Sequence, residues 1–144
     1  MSTKQYDVVI DTNVFVTALR SRRGASYKLL FETSRRKFRQ NLSTPLALEY
    51  ESAAKRTLCG ILSDDEIDAI LDMICALSVR CKIFYLWRPF LRDPKDDMVL
   101  ELAVESQSQY IITYNKRHFK GIEQFGVEAI TPKEFLTRIG ELET

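Results

Sequence analysis

The sequence contains a single histidine (His118) and three cysteines (Cys59, Cys75 and Cys81). One imidazole and no Cys-x-x-Cys spacing exclude a structural zinc site. An odd cysteine count excludes a disulfide scaffold. Cys75 lies among apolar residues and reads as a buried free thiol, so a cytosolic, cytoplasmic chain is expected. No apolar run approaches the roughly 20 residues of a membrane span. The stretch from Met1 to Tyr6 is short and polar and is not a signal peptide. No repeat, low-complexity tract or linker interrupts the chain. With one histidine, any metal chemistry must rest on carboxylates, which selects hard ions such as Mg²⁺ or Mn²⁺.

What is present is an ordinary globular mixture, 45% hydrophobic and 28% charged over 144 residues. That length suits one domain, residues 1–144, able to bury a core without disulfide or metal. The net charge of +1 implies no polyanion partner by itself. Its distribution is uneven: residues 1–60 hold 11 Lys/Arg against 5 Asp/Glu, and residues 61–144 hold 10 against 15. One small domain can thus carry both a basic face and an acidic site.

Strand and helix patterns alternate. Tyr6 to Ile10 reads as a buried strand and Asn13 to Leu19 as the helix after it. Gly24 separates this from a second helix, Ser26 to Lys37, and Phe38 to Leu42 is a weak strand. Thr44-Pro45 opens a helix with Thr44 as N-cap. Ser63-Asp64-Asp65-Glu66 is a capping box, followed by Ile67, Ile70, Leu71 and Ile74 at helical spacing. Val79 to Leu86 reads as a strand, and Asp93-Pro94 starts a helix running through Ala103. Strands at Tyr110 to Thr113 and Val127 to Ile130 precede a last helix capped by Thr131. The expected fold is α/β, three-layered, with a mostly parallel sheet of about five strands and helices on both faces.

Ligands of such sheets gather at the carboxyl ends of the strands. Asp11 stands there after the first strand, followed by Thr12 and Asn13. Asn115 stands just past the fourth. If those strands are neighbours, Asp11 and Asn115 face each other. Asp93, Asp96 and Asp97 crowd one helix start, where the helix dipole alone would favour them. Glu49 and Glu51 lie on the helix from Thr44 and cannot share its face. Each acid has a bland account as cap or solvated surface. Together they are how a doubly wound fold builds a carboxylate cluster, whose mutual repulsion a divalent cation relieves.

These residues resemble the PIN-domain family, in particular toxin components of type II toxin–antitoxin systems related to the VapC toxins. The resemblance spans about Tyr6 to Leu136. It is carried by Val9-Ile10-Asp11-Thr12-Asn13-Val14-Phe15-Val16, Leu48-Glu49-Tyr50 and Arg92-Asp93-Pro94-Lys95-Asp96-Asp97. Leu100-Glu101-Leu102-Ala103, Ile112-Thr113-Tyr114-Asn115-Lys116-Arg117-His118-Phe119 and Ile130-Thr131-Pro132-Lys133-Glu134-Phe135-Leu136 complete it.

The resemblance implies a Mg²⁺- or Mn²⁺-dependent endoribonuclease. Catalytic positions fall on Asp11, Glu49, Asp96 and Asn115, and metal ligands on Asp11, Asp96 and Glu49. Thr12, Asn13 and Thr113 would support the site. The family's fourth acid is often Asp and here is Asn115, which implies a weakened metal position. His118 reads as a structural or substrate-contact residue. Lys116, Arg117 and Arg20 are candidate contacts to RNA phosphates; Arg22, Arg23 and the run Arg35-Arg36-Lys37 with Arg39 are weaker ones. Trp87 and Tyr114 are candidates for base stacking, with a core role the default for Trp87. A cognate antitoxin and a homodimer, formed through helical surfaces such as Ile67–Ile74, are expected partners, and no membrane is. Two alternatives stay open: a housekeeping PIN nuclease without an antitoxin, and an RNA- or protein-binding domain with weak or no nuclease activity.

Overall fold

The computed structural model describes residues 5–83 and 89–142. Trp87 lies outside them. Strand β1 (Tyr6–Ile10) carries Val8, Val9 and Ile10, all fully buried. A strand buried on successive residues has both faces covered, which is how central strands of parallel sheets read. β2 (Phe38–Leu42) and β4 (Tyr110–Ile112) flank it, β3 (Val79–Arg80) lies outside β2, and β5 (Glu128–Ile130) outside β4. The order is β3-β2-β1-β4-β5, and every described pair is parallel. One hydrophobic cluster runs through the sheet and the helices packed on it.

This order sets the place of the site. From β1 the chain moves outward to β2 and β3, then returns to lay β4 on the other side of β1. The direction of progression reverses between β1 and β4, and the crevice of such a fold opens at their carboxyl ends.

The helices are α1 (Thr12–Arg20), α2 (Ala25–Tyr27), α3 (Thr44–Thr57), α4 (Asp64–Leu77), α5 (Pro94–Glu105) and α6 (Pro132–Arg138). Capping by side chains begins most of them. Asp93 accepts from the amide of Lys95 at α5. Ser63 with Glu66, and Thr131 with Glu134, form full capping boxes at α4 and α6.

Several expectations are corrected. The helix expected over 26–37 passes from α2 into a π-helical turn, Lys28–Glu32, and stops when the amide of Thr33 bonds back to the carbonyl of Lys28. Arg35 to Lys37 are therefore outside a helix. Ser43, not Thr44, caps α3, because its hydroxyl accepts from the amide of Leu46. β3 covers only Val79 and Arg80 of the predicted strand 79–86; residues 81–83 are outside it, and 84–86 are outside the described residues. Cys75 is half-buried rather than buried, and all three cysteines are free. Ile67, Leu71 and Ile74 of α4 are buried in this chain's own core. Among the described residues no helix is long and apolar enough to cross a membrane.

Candidate active site

Asp11 follows directly on β1 and caps α1. Its Oδ1 accepts from the amide of Thr12 at 2.9 Å, and its Oδ2 from the hydroxyl of Thr113 at 2.8 Å. The residue is only 8% exposed. Burial pushes its carboxyl above the usual range; the bonds from Thr113 and Thr12 and the nearby His118 pull it down, and Glu49 pushes it up again. It is thus both the N-cap of the bland account and a carboxylate held at the mouth of the crevice.

Thr113 bridges the two strand ends. While donating to Asp11 it accepts from the amide of Asn115 at 2.9 Å. Asn13 adds a second tie, its Oδ1 receiving the amide of Tyr114 at 3.4 Å. The proline-started α5 brings in Asp96 from its first turn. Burial, then the charge of Asp11, pushes the Asp96 carboxyl up to about 6, against the pull of His118, whose Nδ1 lies 3.4 Å from its Oδ2. Glu49 projects from α3 and is paired with Lys95 at 3.3 Å. Glu51 turns to another face and pairs with Lys55 at 3.1 Å, as the spacing of two residues requires.

These groups line one open cleft of about 400 Å³. Asp11, Glu49, Asp96, Asn115, Thr12 and Asn13 all border it, together with Arg20. Thr113 lies beneath the surface, fully buried. Arg56, Lys95, Asp93 and His118 also border the cleft. Arg56 gave no signal in the sequence as a site residue; it comes to the cleft through the packing of α3 on α1. His118 had no local signal beyond being the sole histidine.

Other expected contacts fall elsewhere. Lys116 is held by both carboxylate oxygens of Glu134, at 2.9 and 3.2 Å, and borders no described cleft. Arg117 borders a neighbouring cleft. Arg39 grips Asp7 at the start of β1, the opposite end of the sheet, and Arg35 bonds the carbonyl of Leu30 and lies over Phe38. The Tyr114 hydroxyl is bonded to the buried Ser26. Asp97, one residue beyond Asp96, turns away from the cleft and receives the amides of Phe90 and Leu91.

Among the described residues no three of His, Cys, Asp and Glu converge closely enough to hold a metal ion by themselves. Two carboxylates raised by burial, Asp11 with Glu49 nearby and Asp96 with Asp11 nearby, are nonetheless a donor set that a hard cation would relieve. They fit an ion that keeps most of its water rather than an all-protein cage.

Residues 7–117 match the family model described as PIN domain. Among curated proteins nothing matches the chain. PIN domains are generally nucleases and typically use divalent metals. With most of its length matched, and with the expected α/β fold built on a five-stranded sheet whose described pairs are all parallel, the chain belongs to the PIN-domain family.

Proposed function

We propose that this protein is a metal-dependent endoribonuclease that hydrolyses RNA phosphodiester bonds, and that it serves as the toxin of a type II toxin–antitoxin pair. One observation carries the nuclease reading: Asp11 and Asp96, from two separate elements, border one cleft at the topological switch point, where the charge of Asp11 adds to burial in raising the Asp96 carboxyl. Arginines at the same rim supply charge for a polyanion. The toxin role rests on the sequence resemblance alone.

Asp11 and Asp96 would hold Mg²⁺ or Mn²⁺, with Glu49 acting through water. When bound, the ion supplies Lewis-acid stabilisation of charge developing on the phosphate. The chain's own residues do the rest. Thr113 and Thr12 lock Asp11 in one orientation. Arg20 and Arg56 at the rim attract the backbone phosphates. In this reading the attacking group is water, as metal-dependent hydrolysis requires no covalent intermediate on a side chain. Water adds to phosphorus as the bond to the 3′ oxygen breaks, leaving a 5′-phosphate and a 3′-hydroxyl.

A second reading has its own support. Asn115 brings no charge, Glu49 is engaged by Lys95 and Asp96 faces His118. A domain that binds RNA without cutting it would show the same features. Purified protein incubated with a mixed RNA pool in Mg²⁺, Mn²⁺ or EDTA, beside an Asp11→Asn variant, decides between them. Metal-dependent cleavage lost in the variant supports the nuclease. No cleavage by folded protein with either metal removes it. An adjoining antitoxin gene whose product suppresses cleavage would support the toxin role.

A further inference from the structure

Beside the acidic cleft lies another of about 540 Å³, and Asp93, Asp96 and His118 form the wall between them. Arg92, Arg117, Lys120 and Phe90 also line it. We propose that this second cleft holds the nucleotide adjoining the scissile bond of a single-stranded nucleic acid. Phe90 stacks on its base, and Arg92, Arg117 and Lys120 hold its phosphates. The proposal rests on the nuclease reading above and adds a positioning subsite to it.

The cations are the first argument. None of the three makes an ion pair among the described residues. Lys116 and Lys95, by contrast, are engaged by Glu134 and Glu49. Three cations without an ion pair among the described residues line the same concavity as two carboxylates, and a polyanion entering it is drawn toward the cations and away from the acids. A phosphate chain is thereby aligned along the cleft, with its neighbouring linkage directed over the shared wall toward Asp11 and Asp96.

Phe90 is the second. Its ring is 40% exposed. It stands edge-on to Phe125, with centroids 5.1 Å apart and planes at 83°. Gly121, at a φ of 91° that favours glycine, lies alongside the ring. Asp97 Oδ1 receives the amides of Phe90 at 3.2 Å and Leu91 at 2.8 Å, which pins the backbone beneath. An exposed ring fixed before binding loses little entropy when a base lands on it. A base inside a duplex has both faces covered, so only an unpaired one can stack there.

The test uses the full chain in EDTA and a five-nucleotide RNA carrying one 2-aminopurine, with its position varied. Stacking quenches that base. The single strand is expected to bind with quenching, and the same oligonucleotide annealed to its complement is not. Phe90→Leu, which keeps an apolar contact with Phe125, should weaken binding about tenfold and abolish the quench. Phe90→Trp should restore both. Arg117→Ala and Lys120→Ala should each flatten the log–log salt dependence by about 0.7 while leaving the quench. Unchanged affinity and quench in Phe90→Leu, or equal quenching by the duplex, overturns the proposal. Cleavage by wild type with binding intact in Phe90→Leu overturns the subsite and leaves the nuclease. Phe90-dependent quenching without cleavage in any metal supports the subsite and removes the nuclease.

Discussion

The hydroxyl of Thr113, at the end of β4, donates to Oδ2 of Asp11, at the end of β1, across 102 positions of sequence. It joins the two strands at the point where the sheet reverses its progression, and it orients the most buried carboxylate of the cleft.

Removing that donor while keeping shape is the first test. Thr113→Val leaves Asp11 with one fewer bond to its charged form, so its carboxyl rises further. Metal affinity, read by calorimetric titration of Mn²⁺, should fall about 10- to 100-fold. Thr113→Ser should retain it. An unchanged affinity in Thr113→Val would show that Asp11 is not a ligand.

Asn115 borders the cleft and contributes no charge. Asn115→Asp should raise Mn²⁺ affinity about tenfold or more and increase cleavage. The same change should lower the melting temperature in EDTA, because it adds a like charge to a cluster already costly to ionise. If affinity and melting temperature both stay put, position 115 faces no bound ion.

The acidic cluster also has a signature in stability. Asp96 in the folded, metal-free chain titrates near 6, above the ordinary value of about 3.9. Between those two pH values the folded state binds more protons than the unfolded one, so this residue's contribution to stability falls as pH rises. Asp96→Asn should remove that fall. It should stabilise the metal-free protein at pH 7 by about 1 kcal/mol, discounted for partial solvation from the roughly 3 kcal/mol of a full two-unit shift. Urea unfolding of both proteins in EDTA from pH 4 to 7 measures the difference. Glu66 and Glu134, whose carboxyls are lowered by capping bonds, slope the opposite way and cancel in the comparison. A variant less stable than wild type at pH 7 would contradict the repulsion.

Beneath the cleft, the fully buried Tyr50 donates its hydroxyl to the carbonyl of Ile10 and stacks on Phe15, with ring centroids 4.6 Å apart. Tyr50→Phe keeps the stack and loses the bond. A loss of about 1 kcal/mol in urea unfolding is expected. No loss would mean that the hydroxyl is not a net support of β1.

Much of the fold could be read along the chain, since what sets a helix start or a buried strand acts within a few residues. The Ser63–Glu66 and Thr131–Glu134 capping boxes, Pro94 in the first turn of α5, and the run from Val8 to Ile10 are features of this kind. Asp11 and Asp96 stood out locally as acids after a strand and at a helix start, whereas Glu49, inside α3, and the neutral Asn115 were assigned to the site by the family resemblance; all four border one cleft. Boundaries set by backbone detail were not legible, as the π-helical stop at Thr33 and the serine cap of α3 show.

The residue types, their local elements and the alternation that makes an α/β sheet are written in short-range periodicity. Which charges are free is not. Lys116 is taken by Glu134 eighteen positions away, and Arg39 by Asp7 thirty-two positions away, at the far end of the sheet. Phe90 is held by groups distant in sequence, with its amide on Asp97 and its ring edge-on to Phe125. Such pairings depend on strand order and register, and these are settled by burying the whole core at once, not by any segment alone.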